Sequence, residues 1–416
     1  MIRRRNPIAT DEQHAFERRA VELIRHPTLE ATRAEMRAHW LETVPSGAAM
    51  RACFDQAFEE VMFGAVIWSL NQDPLVPGVV TISRLPHRLG ELEIPGSRWG
   101  LDNPDSVYRV IPISGDERYR IHGRVGERRL RENYFTLWDD AMNTVDVFDG
   151  KDLVLGADGA FVITVDRDPA GGRPNHIHSA PGAKELYIRD VLLDWAGDQL
   201  NELAIERLGP PPSRPPFSEE EQIALSARYM RTWVENSIRW NDQALQKPAN
   251  AFDFKIDRDQ DGALRNQIYI LGRFELATED EALVFTVDLG GAEYFIAPIT
   301  NYWGTTNEIV HRSGSLNKAQ AIADPDGRYT FVLCQQDPGV HNWLDPCDMP
   351  EGILTLRWAE FPAEEVREDV SVSARVMKRS ELAASLPEGT RFVTPEQRAA
   401  QLRERAESYL WRLLED

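Results

Sequence analysis

Cysteine is scarce. Cys53, Cys334 and Cys347 are the only three in 416 residues, and their wide spacing offers neither a disulfide framework nor a thiolate metal site. Free thiols in a reducing compartment fit this usage. Cys347, in a Pro-Cys-Asp-Met stretch, is the one with a chance of exposure, but no base stands beside it in the sequence. Long apolar runs are lacking too. The most apolar, VMFGAVIWSL at residues 61–70, falls well short of the ~20 residues a bilayer-spanning helix needs. Glu59 and Glu60 precede it, so it reads as a buried helix. The N-terminal MIRRRNPIATDEQHAFE is basic but has no apolar signal core. The expectation is therefore a cytoplasmic protein without a membrane partner. Positive charge is in deficit as well: 47 Lys and Arg against 67 Asp and Glu give a net charge of −20. Phosphate backbones would be repelled on average, which argues against nucleic acid as a partner. No Walker A loop, GxGxxG, GxSxG elbow or HExxH occurs, so neither nucleotide chemistry nor an organic cofactor is expected.

What is present is a chain able to bury a large core: 42% hydrophobic residues, with 11 Trp, 10 Tyr and 16 Phe. Residues 1–98 read as a helical N-terminal region. Phe16, Ala20, Leu23 and Ile24, then Met36 and Trp40, recur at helical spacing, interrupted at His26-Pro27. A third helix is expected over residues 48–70. Across 99–209, short β-like runs follow one another, bounded by Gly, Pro, Asp and Asn. Residues 210–262 hold a Pro-rich linker and a helix whose start, Ser218 with Glu221, is a capping box. The β-like runs return over 263–376. Residues 377–416 read as a charged helical tail with Leu402, Leu410 and Leu413 as apolar points, compatible with docking on the surface or in a homo-oligomer. The expected fold is mainly β: two tandem antiparallel β-sandwich units, jelly-roll-like, with a helical N-terminal region and an inter-unit helix.

Two stretches repeat one pattern. Residues 326–361 read DGRYTFVLCQQDPGVHNWLDPCDMPEGILTLRWAEF, and residues 158–195 read DGAFVITVDRDPAGGRPNHIHSAPGAKELYIRDVLLDW. Asp158-Gly159 aligns with Asp326-Gly327, Asp168-Pro169 with Asp337-Pro338, Asn175 with Asn342, and Arg189 with Arg357. Asn103 and Tyr108 align in the same way with Asn266 and Tyr269. Duplication of a unit of ~100 residues accounts for these pairs. The second stretch, through Asp337-Pro338-Gly339, Asn342-Trp343-Leu344 and Arg357-Trp358, resembles the family called domain of unknown function 1214. That resemblance implies a β-sandwich fold and no settled activity.

The candidates for chemistry lie mostly in loops. His176 and His178 would share one face of a strand, and such a pair chelates a metal only with a third ligand, from Glu185, Asp190 or His122. No metal is expected. Asn301-Tyr302-Trp303, with Thr305, Thr306, Asn307 and His311, suits a small ligand with an apolar body. Asn342 and Arg357 recur in both copies and read as structural, the Asn tying its loop and the Arg pairing with a turn carboxylate. His341 and Trp343 are particular to the second copy. Asp139, Asp140, Asp146 and Asp149 cluster, but not at a helical Mg²⁺-binding spacing. Where one copy gains a loop and histidines, a site is the expected cause. The assignment is thus catalytic His311, His176, His178 and His341, with Asn301, Tyr302, Trp303 and Trp343 binding a small-molecule ligand. The expected function is a cytosolic enzyme of lyase, hydratase, isomerase or hydrolase type, using His/carboxylate acid–base chemistry. The alternatives are a non-catalytic binder of a small molecule or glycan, and a structural subunit.

Overall fold

The computed structural model describes residues 6–252, 267–362 and 370–415. Helix α1 (Asp11–Leu23) is capped by the Thr10 side chain, and α2 (Pro27–Thr43) starts on a proline, where a missing N–H costs nothing. The helix expected over 48–70 is in fact two, α3 (Ala48–Ala52) and α4 (Phe54–Leu70). At the break, the Met50 carbonyl accepts from Trp303 Nε1 (2.8 Å) and from the Cys53 thiol. Every residue of α4 from Glu60 to Leu70 is buried, as a helix apolar on all sides must be.

Strands follow in chain order: β1 (Val80–Thr81), β2 (His87–Leu89), β3 (Leu92–Ile94), β4 (Ser106–Pro112), β5 (Arg118–Arg124), β6 (Glu132–Asp139), β7 (Thr144–Asp149), β8 (Ala160–Asp166), β9 (His176–His178), β10 (Ala183–Val191) and β11 (Glu202–Leu208). The long helix α5 (Glu219–Leu245) carries the capping box read from Ser218 and Glu221. After it come β12 (Gln267–Glu275), β13 (Glu281–Asp288), β14 (Tyr294–Thr300), β15 (Ser315–Asn317), β16 (Tyr329–Leu333), β17 (Trp343–Leu344), β18 (Glu351–Ala359) and β19 (Ser371–Lys378), then the short α6 (Leu382–Ser385) and α7 (Pro395–Leu410). The boundary expected at 262/263 and the landmark Asn266 lie outside the described residues.

Apart from the β2–β3 hairpin, these strands make four sheets. In the first half the orders are β1-β4-β10-β6-β7 and β11-β5-β8-β9; in the second, β12-β18-β14-β15 and β17-β16-β13-β19. Strand for strand, β4-β10-β6-β7 corresponds to β12-β18-β14-β15, and β11-β5-β8-β9 to β19-β13-β16-β17. The sheets are not wholly antiparallel as expected: β8–β9 and β16–β17 are parallel. In both places a loop carries the chain back to run alongside, and an asparagine pins it. Asn175 bonds both the N–H and the carbonyl of Val154, and Asn342 does the same to Ile322.

Alternation along the strands builds two cores. Phe135, Leu137, Leu186 and Ile188 point inward to meet Tyr119, Ile121, Ile163 and Val165. In the second half Phe295, Leu354, Leu356 and Trp358 meet Leu283, Phe285, Phe331 and Leu333. A third core gathers α2, α4 and α5 with Tyr108, Val110, Leu271 and Ile353, residues on the opposite faces of two of the sheets.

The tail docks differently from its leucine pattern. Leu410 is 37% exposed, whereas Arg398, Arg405, Tyr409 and Arg412 are buried. Arg405 donates to the Ile309 carbonyl (2.6 Å) and Ser315 Oγ (2.8 Å) while lying over the Trp195 ring (4.5 Å). Arg412, just beyond α7, donates to the Pro104 carbonyl (2.7 Å). One tail therefore holds both halves. Among the described residues no helix is long and apolar enough to cross a membrane.

Candidate site between the two β halves

The residues assigned from the sequence are not brought together. Trp303 is wholly buried, edge-on to Phe54 (4.6 Å) and Trp40 (5.9 Å) in the helical core. Tyr302 is buried beside it and donates to Glu351 (3.2 Å). Asn301 ties its own turn, accepting from the N–H groups of Trp303 and Thr305. The loop read as a ligand wall is thus a plug packed against the N-terminal helices. His311 is exposed, and its backbone N–H donates to Glu308. His341 meets the Gln320 carbonyl at 3.2 Å, and burial pushes its pKa down. Trp343 donates to the Cys334 carbonyl beneath Arg398.

His176 and His178 do share a face, with Ile177 between them turned into the core. Their rings bond the carbonyls of Asp168 (2.8 Å) and Arg167 (3.0 Å). The third ligands considered are engaged elsewhere: Glu185 by Trp68 and Gln72, Asp190 by Arg109 and Asn133, His122 by Glu206. Asp139 caps a turn, and Asp146 accepts from the His178 N–H. Among the described residues no three His, Cys, Asp or Glu side chains are grouped to hold a metal. Two cavities of about 760 Å³ open on the first half, one by Arg124, Leu200 and Trp411, the other by His122, Phe161 and Leu203. None of the assigned residues lines either.

A different constellation emerges where the outward faces of two sheets are covered rather than wetted. On β6 the outward residues are Glu132, Tyr134, Thr136 and Trp138; on β10, Tyr187 and Arg189; on β4, Tyr108. On the second half they are Tyr269 of β12 and Thr355 and Arg357 of β18. Val191, Tyr294, Ile296 and Ala359 pack across the seam between the halves. Helices α4 and α5 close the side, with Trp68 stacked on Tyr187 (5.8 Å).

Rings dominate the walls. Trp138 stacks on Tyr187 at 4.2 Å, and Tyr108 lies 5.6 Å from Tyr187. Arg189 sits over Tyr187 (4.8 Å) and Trp138 (5.7 Å), and Arg357 over Tyr269 (5.6 Å). Arg357 donates to the carbonyl of Leu101. Leu101 holds a left-handed backbone (φ 59°), a conformation that costs a non-glycine residue about 1 kcal/mol. Among the described residues Arg357 pairs with no turn carboxylate, where the sequence pattern suggests one. The strand register places Arg189 opposite Tyr108 and Arg357 opposite Tyr269.

Burial is uneven across this region. Burial pushes the Tyr187 and Tyr269 hydroxyls up, yet Tyr187, Arg189, Gln267, Tyr269 and Arg357 all keep partial accessibility. Glu132 is 4% exposed, and burial, opposed by Arg189 and Arg357, pushes its carboxyl up to about 8. Among the described residues no carboxylate forms an ion pair with Arg357. Glu132 Oε2, Thr136 Oγ1, Trp138 Nε1, Thr355 Oγ1 and Arg357 Nε are buried and find no protein partner there.

No family model and no curated protein matches the chain. Solved structures do. The chain is similar to an uncharacterized protein from Burkholderia cenocepacia, with a TM-score of 0.72 and 23% identity over 87% of this chain and 100% of that one. It also matches the VPA0106 protein from Vibrio parahaemolyticus, at a TM-score of 0.44 and 12% identity over 78% and 99% of the two chains. The Burkholderia likeness shows the fold, mostly β with several sheets and flanking helices, and brings no activity with it.

One signal of this region was present in the sequence. In Glu-Asn-Tyr-Phe-Thr-Leu-Trp (132–138) the residues alternating with Phe135 and Leu137 are aromatic and polar rather than charged for solvent. A sandwich strand facing water does not need Tyr134 and Trp138 there.

Proposed function

We propose that the protein binds a small, acceptor-rich anion with a flat apolar body between its two β halves. One observation carries this reading: five buried polar atoms on the outward faces of β6 and β18 have no protein partner among the described residues. Orphaned buried polar atoms are costly, and a set of them on the outward faces of two sheets marks a place built for something else. Glu132, when protonated, and Arg357 are donors that face one another, and their complement is a group of oxygen acceptors, such as a carboxylate, sulfonate or phosphate. Arg357 supplies the charge through the open Nε edge of its guanidinium, and Tyr108, Tyr187, Trp138 and Tyr269 supply the flat walls.

Two measurements test the reading. Native mass spectrometry of the purified protein is expected to show a co-purifying small anion. Benzoate or benzenesulfonate is expected to raise the melting temperature of the parent but not of Arg357→Met. Equal shifts in parent and variant, or no shift in either, would sink it.

An acid–base enzyme built on histidine has less support, because His176, His178 and His341 are held by hydrogen bonds to Thr164 and to the carbonyls of Asp168, Arg167 and Gln320, and none of them lines either large cavity. The matched strand orders, with the paired Asn175/Asn342 and Arg189/Arg357, support the internal duplication of a sandwich unit. The three free thiols support a cytoplasmic setting.

A further inference from the structure

We propose that Glu132 holds the bound anion as an acid, so that capture of the anion takes up one proton and loss of that proton releases it. This rests on the anion site proposed above. The geometry singles out one carboxyl oxygen. Glu132 Oε1 is fixed by Gln267 Nε2 at 2.5 Å, whereas Oε2 is buried with no partner, and it faces Arg357, whose Nε is likewise buried and unpartnered. An ionised carboxylate there would repel an incoming anion; a protonated one adds a donor to that of Arg357.

The groups facing Glu132 come from every neighbouring element. Arg189 of β10, Arg357 of β18 and Lys151 of the 3₁₀ turn at 150–152 favour the carboxylate, and Asp105, ahead of β4, opposes it. Lys151 is already paired with Glu360, which also accepts from Tyr134. Asp105 is held by Trp195, Asn317 and Tyr294. Burial outweighs the cations, and the free site is largely protonated at neutral pH. A bound anion adds negative charge and removes more water, both of which favour the acid further. Binding is therefore flat with pH in the acid range. Above about pH 8 it takes up a proton, and affinity falls by up to about tenfold per pH unit.

The test uses the full chain and benzenesulfonate, whose charge is fixed over the range. Calorimetric titration in two buffers of different ionisation heat reads the protons taken up. The expected result is close to one proton per benzenesulfonate near pH 9 and none near pH 6, with Glu132→Gln binding at both and taking up none. Proton uptake in the parent needs no variant, so a poorly folding Glu132→Gln does not spoil the test. Affinity independent of pH with no uptake in the parent, while Arg357→Met abolishes binding, would overturn this proposal and leave the anion site standing. Absence of benzenesulfonate and benzoate binding by the parent would overturn both.

Discussion

Tyr134 and Tyr294 exchange partners across the molecule. The Tyr134 hydroxyl, near the start of β6 in the first half, donates to Glu360 of the second; the Tyr294 hydroxyl, at the start of β14 in the second half, donates to Asp105 of the first at 2.9 Å. Each half thus completes a carboxylate of the other, beside the region proposed to take an anion.

Tyr294→Phe would deprive the buried Asp105 of one donor, at a cost of about 1–3 kcal/mol. The same change at Tyr134 would leave Glu360 with Lys151 and cost less. Urea unfolding of the two single variants and the double variant checks this. A coupling well beyond additivity is the expected mark of a shared seam.

Asp105 sets a pH dependence. Burial raises its carboxyl to about 6, with Trp195, Asn317 and Tyr294 pulling the other way. A carboxyl raised in the folded state contributes stability that is fully present below its unfolded value and is lost as pH rises through about 6. Asp105→Asn should therefore gain on the parent, in melting temperature, between about pH 4 and pH 7. A difference that shrinks or stays constant over that range would contradict this.

Trp303→Ala should cost about 3–5 kcal/mol, since it empties a site between Trp40 and Phe54 and leaves the Met50 carbonyl with the weaker Cys53 thiol as donor. His311→Ala, on the exposed stretch nearby, should stay within about 0.5 kcal/mol. Thermal or urea unfolding separates the two. The contrast also separates the plug described above from the ligand wall its composition suggested.

The thiols should be sluggish. Burial pushes Cys53 up to about 11, and Cys334 and Cys347 up to about 12. Native protein near neutral pH should react slowly with a thiol-selective disulfide reagent, and the unfolded chain should titrate all three at once. Rapid labelling of Cys347 would show that its loop opens.

Much of the fold was legible because it is written locally. The strands at 107–113 and 134–138, the His26-Pro27 break and the capping box at Ser218 each depend on a few neighbouring residues. The tie made by Asn175 and Asn342 was readable from its recurrence. The candidate site was not, because it is made by residues distant in sequence that look like packing one at a time. Arg189 and Arg357 recur, which reads as structure, and only the meeting of two outward sheet faces gives them a common surroundings. The aromatic loop at 301–307 misled for the converse reason: composition cannot tell a ring that lines a void from one that fills it. The tail misled through its charges, since Arg405 and Arg412 are buried against carbonyls and rings while Leu410 faces outward.

The arginine anchors of α7 have a consequence for how the protein comes to be made. Residues 395–412 leave the ribosome after both β halves, yet Arg405 reaches the loop before β15 and the ring of Trp195, and Arg412 the carbonyl of Pro104. Each half can gather its own core during synthesis. Only when the last helix arrives are the contacts that it makes with both halves complete. Shortening the chain at its C-terminus should therefore loosen the seam before it loosens either core.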